Sequence, residues 1–166
     1  ICFEYGSEEQ NIAGRGALHN INLHILEGQI VLLCGESGCG KTTITRLLNG
    51  LIPHFYEGNL TGTICIDGKE INDQPIYETA LLSGTVFQNP RSQFFNVDTT
   101  SELAFGLENR GMEETQILKK VDKTVQELKL EKLMNRSIFD LSGGEKQKIA
   151  CGCVSVCSPN IIILDE

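Results

Sequence analysis

The sequence lacks long hydrophobic runs, and positive charge is scarce in it. A helix that spans a bilayer needs about 18 or more apolar residues in a row, and no such run occurs, so we do not expect the chain to cross a membrane by itself. The 14 Lys and Arg are outnumbered by 22 Asp and Glu, which gives a formal net charge of −8. Proteins that bind DNA or RNA concentrate Lys and Arg on one face, whereas here these residues are scattered. The composition therefore argues against nucleic acid as a partner.

The sequence also shows no disulfide framework, no zinc motif and no pattern of a secretion signal. The seven cysteines follow no regular spacing and lie mostly inside apolar runs. Cys151, Cys153 and Cys157 lack the spacing of zinc ligands and have no His nearby. We expect reduced thiols that act as small hydrophobic side chains, as in cytosolic proteins. The 166 residues suffice for one domain, and the start at Ile1 leads us to expect a piece of a longer protein.

What the sequence does contain is a glycine loop with the pattern of a phosphate-binding loop. The loop consists of Gly35, Glu36, Ser37, Gly38, Cys39, Gly40, Lys41, Thr42 and Thr43. An apolar run at residues 30–34 precedes it and a helical segment at residues 41–49 follows it, which is the order that phosphate binding requires. Glycine permits positive φ, so that successive N–H groups and the helix N-terminus converge on one anion. Lys41 would reach the outer phosphates, and the Thr42 hydroxyl would hold magnesium.

The remaining segments predict a mixed α/β chain. Alternating or turn-bounded apolar runs predict strands at residues 1–5, 18–26, 30–33, 62–66, 84–87 and 161–164. Helical patterns occur at residues 41–49, 75–82, 99–109 and 113–128, with Thr99 or Thr100 as the cap of the third. The last strand is a continuous aliphatic run, which is typical of a strand buried on both faces, and Asp165 and Glu166 follow it directly.

A second glycine motif lies shortly before that last strand. It is Leu141, Ser142, Gly143, Gly144 and Glu145 at the start of a segment rich in small residues. A helix N-terminus with two glycines is a sound anion site, although a Ser-capped helix start without a ligand has the same appearance. With the glycine loop before it and the Asp-Glu strand after it, this motif resembles the signature of the ATP-binding-cassette (ABC) ATPases, and the resemblance covers essentially the whole chain.

This resemblance implies an α/β fold with a phosphate-loop NTPase core. The sheet would be mainly parallel, with an antiparallel β subdomain on the N-terminal side and a small α-helical subdomain. Residues 1–166 would form a single ATPase domain, with the core in 1–88, the helical subdomain in 89–141, and the signature helix and Walker B strand in 142–166. The C-terminal part of the core would be missing, so we expect this fragment alone to hydrolyse ATP poorly or not at all.

The resemblance also assigns roles around ATP and Mg²⁺, the implied cofactors. Tyr5 matches the aromatic residue that stacks on adenine, although it could be an ordinary core residue. Asp165 would hold magnesium together with Thr42, and Glu166 would orient or deprotonate the attacking water. Gln88 would contact magnesium and water and report the nucleotide state, or else it is a polar strand end.

The signature residues would act on a different nucleotide from the one held by this chain's own loop. Ser142, Gly143, Gly144 and Glu145 would close over the γ-phosphate bound to a partner cassette, so that a second ABC cassette is required. Glu145 stands where many members of the family have Gln. Lys41, Gln88 and Glu166 are the predicted catalytic residues.

Three further pieces, at residues 50–54, 87–90 and 102–109, resemble the energy-coupling-factor (ECF) branch, whose transporters import vitamins or metal ions such as cobalt and nickel. Residues 53–58 resemble branch members with two fused cassettes, of which this would be the first. The implied partners are integral membrane subunits, including a substrate-binding one, at the cytoplasmic face of the cell membrane.

Two other functions stay open at this point. One is a soluble cassette ATPase of DNA repair or translation, against which the compact interval from Gln88 to Leu141 and the acidic composition argue. The other is a nucleotide-binding module that does not hydrolyse ATP, against which the presence of Lys41, Asp165 and Glu166 argues.

Overall fold

The computed structural model describes residues 1–6 and 17–165, which divide into two compact units. The first unit is Ile1–Leu82 and the second is Ser83–Glu166. A predicted loop at residues 7–16 and the predicted catalytic residue Glu166 lie outside the described residues. No helix in residues 1–6 and 17–165 is long and apolar enough to cross a bilayer.

A three-stranded antiparallel sheet forms the first part of the first unit. Its order is β2-β1-β3, and the strands are β1 (Cys2–Tyr5), β2 (Ala17–Leu18) and β3 (Gly58–Thr61). Alternation in β1 directs Phe3 and Tyr5 inward, and Phe3 is fully buried. The sheet confirms the predicted first strand.

Helices and one hairpin complete the first unit. The elements are α1 (Lys41–Leu48), α2 (Leu51–His54), β4 (Cys65–Ile66), β5 (Lys69–Glu70) and α3 (Ile76–Leu82). Gly50, with φ of 75°, stands between α1 and α2, in the left-handed conformation that favours glycine after a helix. Asp67 and Gly68 both have positive φ, which is the geometry of the tight hairpin turn that their sequence predicts.

Three predicted strands of the first unit are wrong in whole or in part, and one of them, at residues 62–66, is strand only at Cys65–Ile66. The segment 18–26 is extended sheet only at its first residue, and residues 30–33 form no strand. The side chains of this second run are exposed, from 36% for Leu33 to 100% for Ile30. A strand needs a neighbour to pair its backbone groups, and no described residue pairs with this run in a sheet.

The second unit is mainly helical, and its core lies between three helices. They are α4 (Thr99–Glu108), α5 (Glu114–Glu127) and α6 (Gly143–Val156), and 3-10 turns lie at Pro90–Ser92, Glu131–Leu133 and Ile138–Asp140. The shared core contains Leu103, Leu107, Ile117, Val121, Val125, Leu130, Leu133, Leu141, Ile149 and Val156. On α5 these residues recur at i, i+4 and i+8, as the helical pattern predicted. The N-cap of α4 is Asp98 and not the predicted Thr99 or Thr100.

The second unit also contains a parallel strand pair, formed by β6 (Ser83–Val86) and β7 (Ile161–Leu164). The predicted strand at 161–164 is confirmed, but its burial on both faces is wrong. Ile163 is 7% exposed, whereas its neighbours Ile162 and Leu164, which point to the opposite face of the strand, are 48% and 65% exposed. On the face that Val86 shares with Leu164 by register, Val86 packs against Ala150 and Val154 of α6.

The seven cysteines differ in burial, although the sequence predicts that they all act as small hydrophobic side chains. All seven are free thiols. Cys153 contacts the helical core, and burial raises the pKa of its thiol, so that it remains protonated and packs as a small hydrophobic residue. Cys34, Cys39 and Cys65 are instead exposed.

Candidate nucleotide-binding site

The glycine loop ends in the first turn of α1, in the first unit. Gly38 and Gly40 have φ of 82° and 95°, and Gly40 is the N-cap residue without a side chain to cap the helix. The first N–H groups of a helix have no partner within it, so those of α1 are available to an anion. A Cβ at Gly40 would lie 2.6 Å from Leu18 Cδ2. The positive φ therefore favours glycine at the position where the loop enters the helix, and a Cβ there would also displace the Leu18 methyl group.

Lys41 folds its side chain back over this loop. Its Nζ donates to the carbonyl oxygens of Gly35, at 2.7 Å, and Glu36, at 2.8 Å, and lies 3.6 Å from Cys39 Sγ. The ammonium group thus lies against the same backbone segment whose N–H groups the sequence predicts to hold phosphate. A phosphate bound there would compete with the two carbonyls for a cation that is already in position.

Thr43 and Tyr5, two residues predicted to bind the nucleotide, contact each other directly. The Tyr5 hydroxyl lies 3.1 Å from Thr43 Oγ1, a hydrogen bond that joins β1 to α1. Arg46 Nη1 donates to the same tyrosine hydroxyl at 3.1 Å, and its guanidinium carbon lies 4.0 Å from the centroid of the Tyr56 ring. This network fixes the first turns of α1 against the antiparallel sheet.

The side chain of Tyr5 is only 5% exposed. Its ring packs edge-on against Phe3, with centroids 4.8 Å apart, and against Tyr56, at 6.4 Å. Stacking on adenine requires a free ring face, so this burial favours the alternative of a core residue, and the adenine contact stays a prediction. Tyr5 also borders an open cavity of about 580 Å³, whose other lining residues are Glu4, Gly6, Pro53, Glu57, Gly58 and Asn59.

In the second unit, Gln88 and Asp165 lie at the same edge of the parallel strand pair. The register places Val86 opposite Leu164, and the Asp165 N–H donates to the Val86 carbonyl at 2.9 Å. Gln88 is the second residue after Val86, and its side chain is exposed. Because carboxyl ends of parallel strands meet at one edge, the structure brings together an amide and a carboxylate that the sequence separates by 77 positions.

The signature turn (residues 142–145) opens α6 with a capping box. Glu145 N–H donates to Ser142 Oγ at 3.3 Å, and Ser142 N–H donates to Glu145 Oε2 at 2.8 Å. Arg136 Nη1 reaches the other carboxylate oxygen at 3.2 Å. The hydrogen bonds from Ser142, aided by Arg136, hold the pKa of Glu145 below its ordinary value. Glu145 is therefore ionised at neutral pH, and it accepts hydrogen bonds from its own unit.

The donors of these segments fit a magnesium nucleotide. Backbone N–H groups at a helix start and a lysine ammonium are typical ligands of phosphate, and hydroxyl, amide and carboxylate oxygens are typical ligands of Mg²⁺. Thr42 is exposed on α1 in the first unit, and Asp165 is half-buried in the second.

Sequence reasoning missed Arg46, Tyr56 and Arg136. Arg46 contacts a tyrosine 41 residues away, and Arg136 contacts a carboxylate 9 residues away. Neither pair has a local spacing that predicts contact, so only the folded structure identifies these residues.

Fold and site together define a phosphate-loop domain of the NTPase type. The family model described as ABC transporter matches residues 18–166. An ABC transporter ATP-binding protein of Treponema denticola is 53% identical over the whole chain, and one of Pyrococcus abyssi is 36% identical over the whole chain. The structure of CbiO1 from Clostridium perfringens, described as part of the ABC transporter complex CbiONQ, has a TM-score of 0.82 and 30% identity, over 99% of this chain and 62% of that one.

The chain belongs to the ABC transporter family, whose ATP-binding domain is an ATPase. The likeness to CbiO1 confirms the predicted fold class. The chain spans 33% of the Treponema protein and 58% of the Pyrococcus protein.

Proposed function

We propose that this chain is the ATP-binding and ATP-hydrolysing part of an ECF-type transporter that imports a vitamin or a transition-metal ion. The observation that carries the proposal is the glycine loop, where Gly38 and Gly40 have positive φ, α1 begins directly after it, and Lys41 lies against its backbone. Family membership supports ATP as the nucleotide. The likeness to a protein from a CbiONQ complex supports the ECF branch.

In this proposal the residues of the two units have separate tasks. Lys41 and the loop N–H groups would bind the phosphates, and Thr42, Gln88 and Asp165 would hold Mg²⁺, which neutralises phosphate charge when bound. Glu166 would orient the attacking water. Hydrolysis would then depend on a second cassette, whose signature turn covers the phosphate on this chain.

The partners in this proposal are a second cassette and integral membrane subunits, one of which binds the imported substrate. The second cassette is a homologous chain or a fused domain of the same protein. The length of the Treponema relative, about three times the chain, leaves room for such a domain. The assembly would lie at the cytoplasmic face of the cell membrane.

Purification of the full-length protein from its own membranes tests the proposal. We expect an integral membrane subunit to co-purify and the complex to hydrolyse ATP. Lys41→Ala should lower hydrolysis by roughly a hundredfold or more, because a preorganised cation at the phosphates is lost. Lys69→Ala is the matched control, since Lys69 pairs with Glu78 at an exposed site of the same unit. Recovery of the protein only in the soluble fraction, or equal hydrolysis by the two variants, would contradict the proposal.

A further inference from the structure

Both oxygens of the Glu145 carboxylate are engaged inside the second unit. Oε2 accepts from the Ser142 N–H at 2.8 Å, and Oε1 accepts from Arg136 Nη1 at 3.2 Å. The carboxylate is thus turned back over the first turn of α6. A group in this position is poorly placed to be a direct ligand of a nucleotide, although the sequence predicts it as one.

Arg136 is held in place through its backbone by Thr99, which is fully buried. Thr99 N–H donates to the Arg136 carbonyl at 3.0 Å, and Arg136 N–H donates to Thr99 Oγ1 at 3.3 Å. The same hydroxyl donates to the Leu133 carbonyl at 2.8 Å. Arg136 therefore links α4, through its backbone, to α6, through Glu145, and is a pre-positioned cation beside the start of α6.

The charge of Glu145 opposes the anion that the signature turn is proposed to meet. A carboxylate near a helix N-terminus stabilises the helix when no other anion is present. The same carboxylate repels a phosphate that approaches this turn. The Arg136 guanidinium neutralises this carboxylate at Glu145 Oε1, whereas the N–H groups of Gly143 and Gly144 belong to the first turn of α6 and have no partner within the helix.

We propose that Arg136 is a positioning residue for ATP-dependent closure: it neutralises Glu145, so that the signature turn accepts the terminal phosphate held by the partner cassette. This inference rests on the proposed function. The side chains of the pair are 39% and 33% exposed, and ion pairs at such sites contribute little to stability. The effect of Arg136 should therefore be on closure and not on folding.

The test measures ATP occlusion by the full-length protein in its transporter complex, as a function of ATP concentration. Arg136→Gln should raise the concentration for half-maximal occlusion by up to about fivefold, the range of a partly exposed ion pair. Glu145→Gln removes the repelling charge and keeps an acceptor for the Ser142 N–H. The double variant Arg136→Gln, Glu145→Gln should therefore return to the wild-type concentration.

A control variant and a salt series separate electrostatics from structure. Lys123→Ala removes the cation of an exposed pair with Glu127 on α5, at 3.7 Å, and should leave occlusion unchanged. At about 1 M salt, where the screening length is about 3 Å, the defect of Arg136→Gln should shrink.

Each unfavourable result has a distinct meaning. If wild type occludes no ATP, the proposed function fails and this inference falls with it. If wild type occludes ATP and Arg136→Gln behaves like wild type, the inference alone is overturned. A defect of Arg136→Gln that Glu145→Gln does not relieve, together with a lower melting temperature, would make Arg136 a structural residue and overturn the inference as well.

Discussion

At the scale of single residues, Asp98 is the N-cap on which α4 depends. Its carboxylate accepts from the N–H groups of Thr100, at 3.0 Å, and Ser101, at 2.9 Å, and these bonds, chiefly that from Ser101, lower its pKa. Asp98→Ala should reduce the local free energy of opening of α4 by about 1 kcal/mol at neutral pH. Hydrogen exchange of the α4 amides in the full-length protein measures this difference.

The lowered pKa of Asp98 also gives this prediction a pH dependence. The ionised cap stabilises fully above the ordinary Asp pKa of about 3.9, and the contribution is lost as the pH falls through the lower folded-state pKa. The difference between wild type and Asp98→Ala should be constant from pH 7 to about pH 4 and should shrink below that. Asp98→Asn keeps an acceptor that does not titrate. If the difference between Asp98→Asn and Asp98→Ala also shrank below about pH 4, the pH dependence would not come from the Asp98 carboxylate.

The sequence predicts a cap in this region but does not identify which residue provides it. Asp98, Thr99 and Thr100 are consecutive, and each residue type is a good N-cap. The choice follows from tertiary contacts, because the Thr99 hydroxyl is buried and bonded to the Leu133 carbonyl. The Ser142 cap, in contrast, lies within a short motif and could be predicted from the sequence, whereas the bonds of Lys41 to the Gly35 and Glu36 carbonyls could not.

At the scale of elements, the packing of α6 on β6 depends on Gly84. A Cβ there would lie 2.5 Å from Val154 Cγ1 and 3.0 Å from Pro159 Cγ, and neither a branched side chain nor a proline ring yields easily. Gly84→Ala should therefore destabilise the second unit by about 1–3 kcal/mol, the usual cost of overpacking. Hydrogen exchange of the β6 and β7 amides reports the loss.

Gly143→Ala is the matched control for Gly84→Ala. A Cβ at Gly143 meets no atom within 4 Å, and this residue is the first of α6, where alanine is a better helix former. In Gly143→Ala, the amides of β6 and β7 should be as well protected from hydrogen exchange as in wild type. Equal protection in both variants would mean that α6 does not pack closely on Gly84.

Elements with local signals could be predicted, and elements that depend on partners could not. The i, i+4 repeat of α5 specifies a helix by itself, whereas the aliphatic run of β7 forms a strand only where β6 pairs with it. Residues 30–33 have the same strand composition as β7, yet they form no strand, because pairing is decided by what lies beside a segment.

At the scale of the whole molecule, each compact unit holds a different part of the proposed chemistry. The glycine loop and Tyr5 belong to the first unit, whereas Gln88, Asp165 and the signature turn belong to the second. The contacts within each unit follow from its own packing and could be checked in the structure. The requirement for a second cassette follows from the family resemblance. It therefore needs a test that distinguishes the effect of the glycine loop on nucleotide binding from the effect of the signature turn on hydrolysis.

The variant Gly144→Asp changes the signature turn and leaves the glycine loop intact, so it distinguishes these two effects. A Cβ at Gly144 meets no atom within 4 Å, so the fold should tolerate the change, while the new carboxylate repels a phosphate that approaches the turn. In the full-length protein we expect nucleotide binding to persist, because the loop at Lys41 is intact, and hydrolysis to fall by at least about tenfold. Binding of a fluorescent ATP analogue and steady-state hydrolysis measure the two quantities.

Two variants complete the comparison with Gly144→Asp. Gln116→Glu adds the same charge to the exposed first turn of α5 and should change neither quantity, whereas Lys41→Ala should abolish both. If Gly144→Asp weakened binding as much as hydrolysis, the loop and the signature turn would serve one nucleotide, and the composite site shared by two cassettes would be wrong. If binding survives while hydrolysis is lost, the loop and the turn act on different nucleotides, and a second cassette is required.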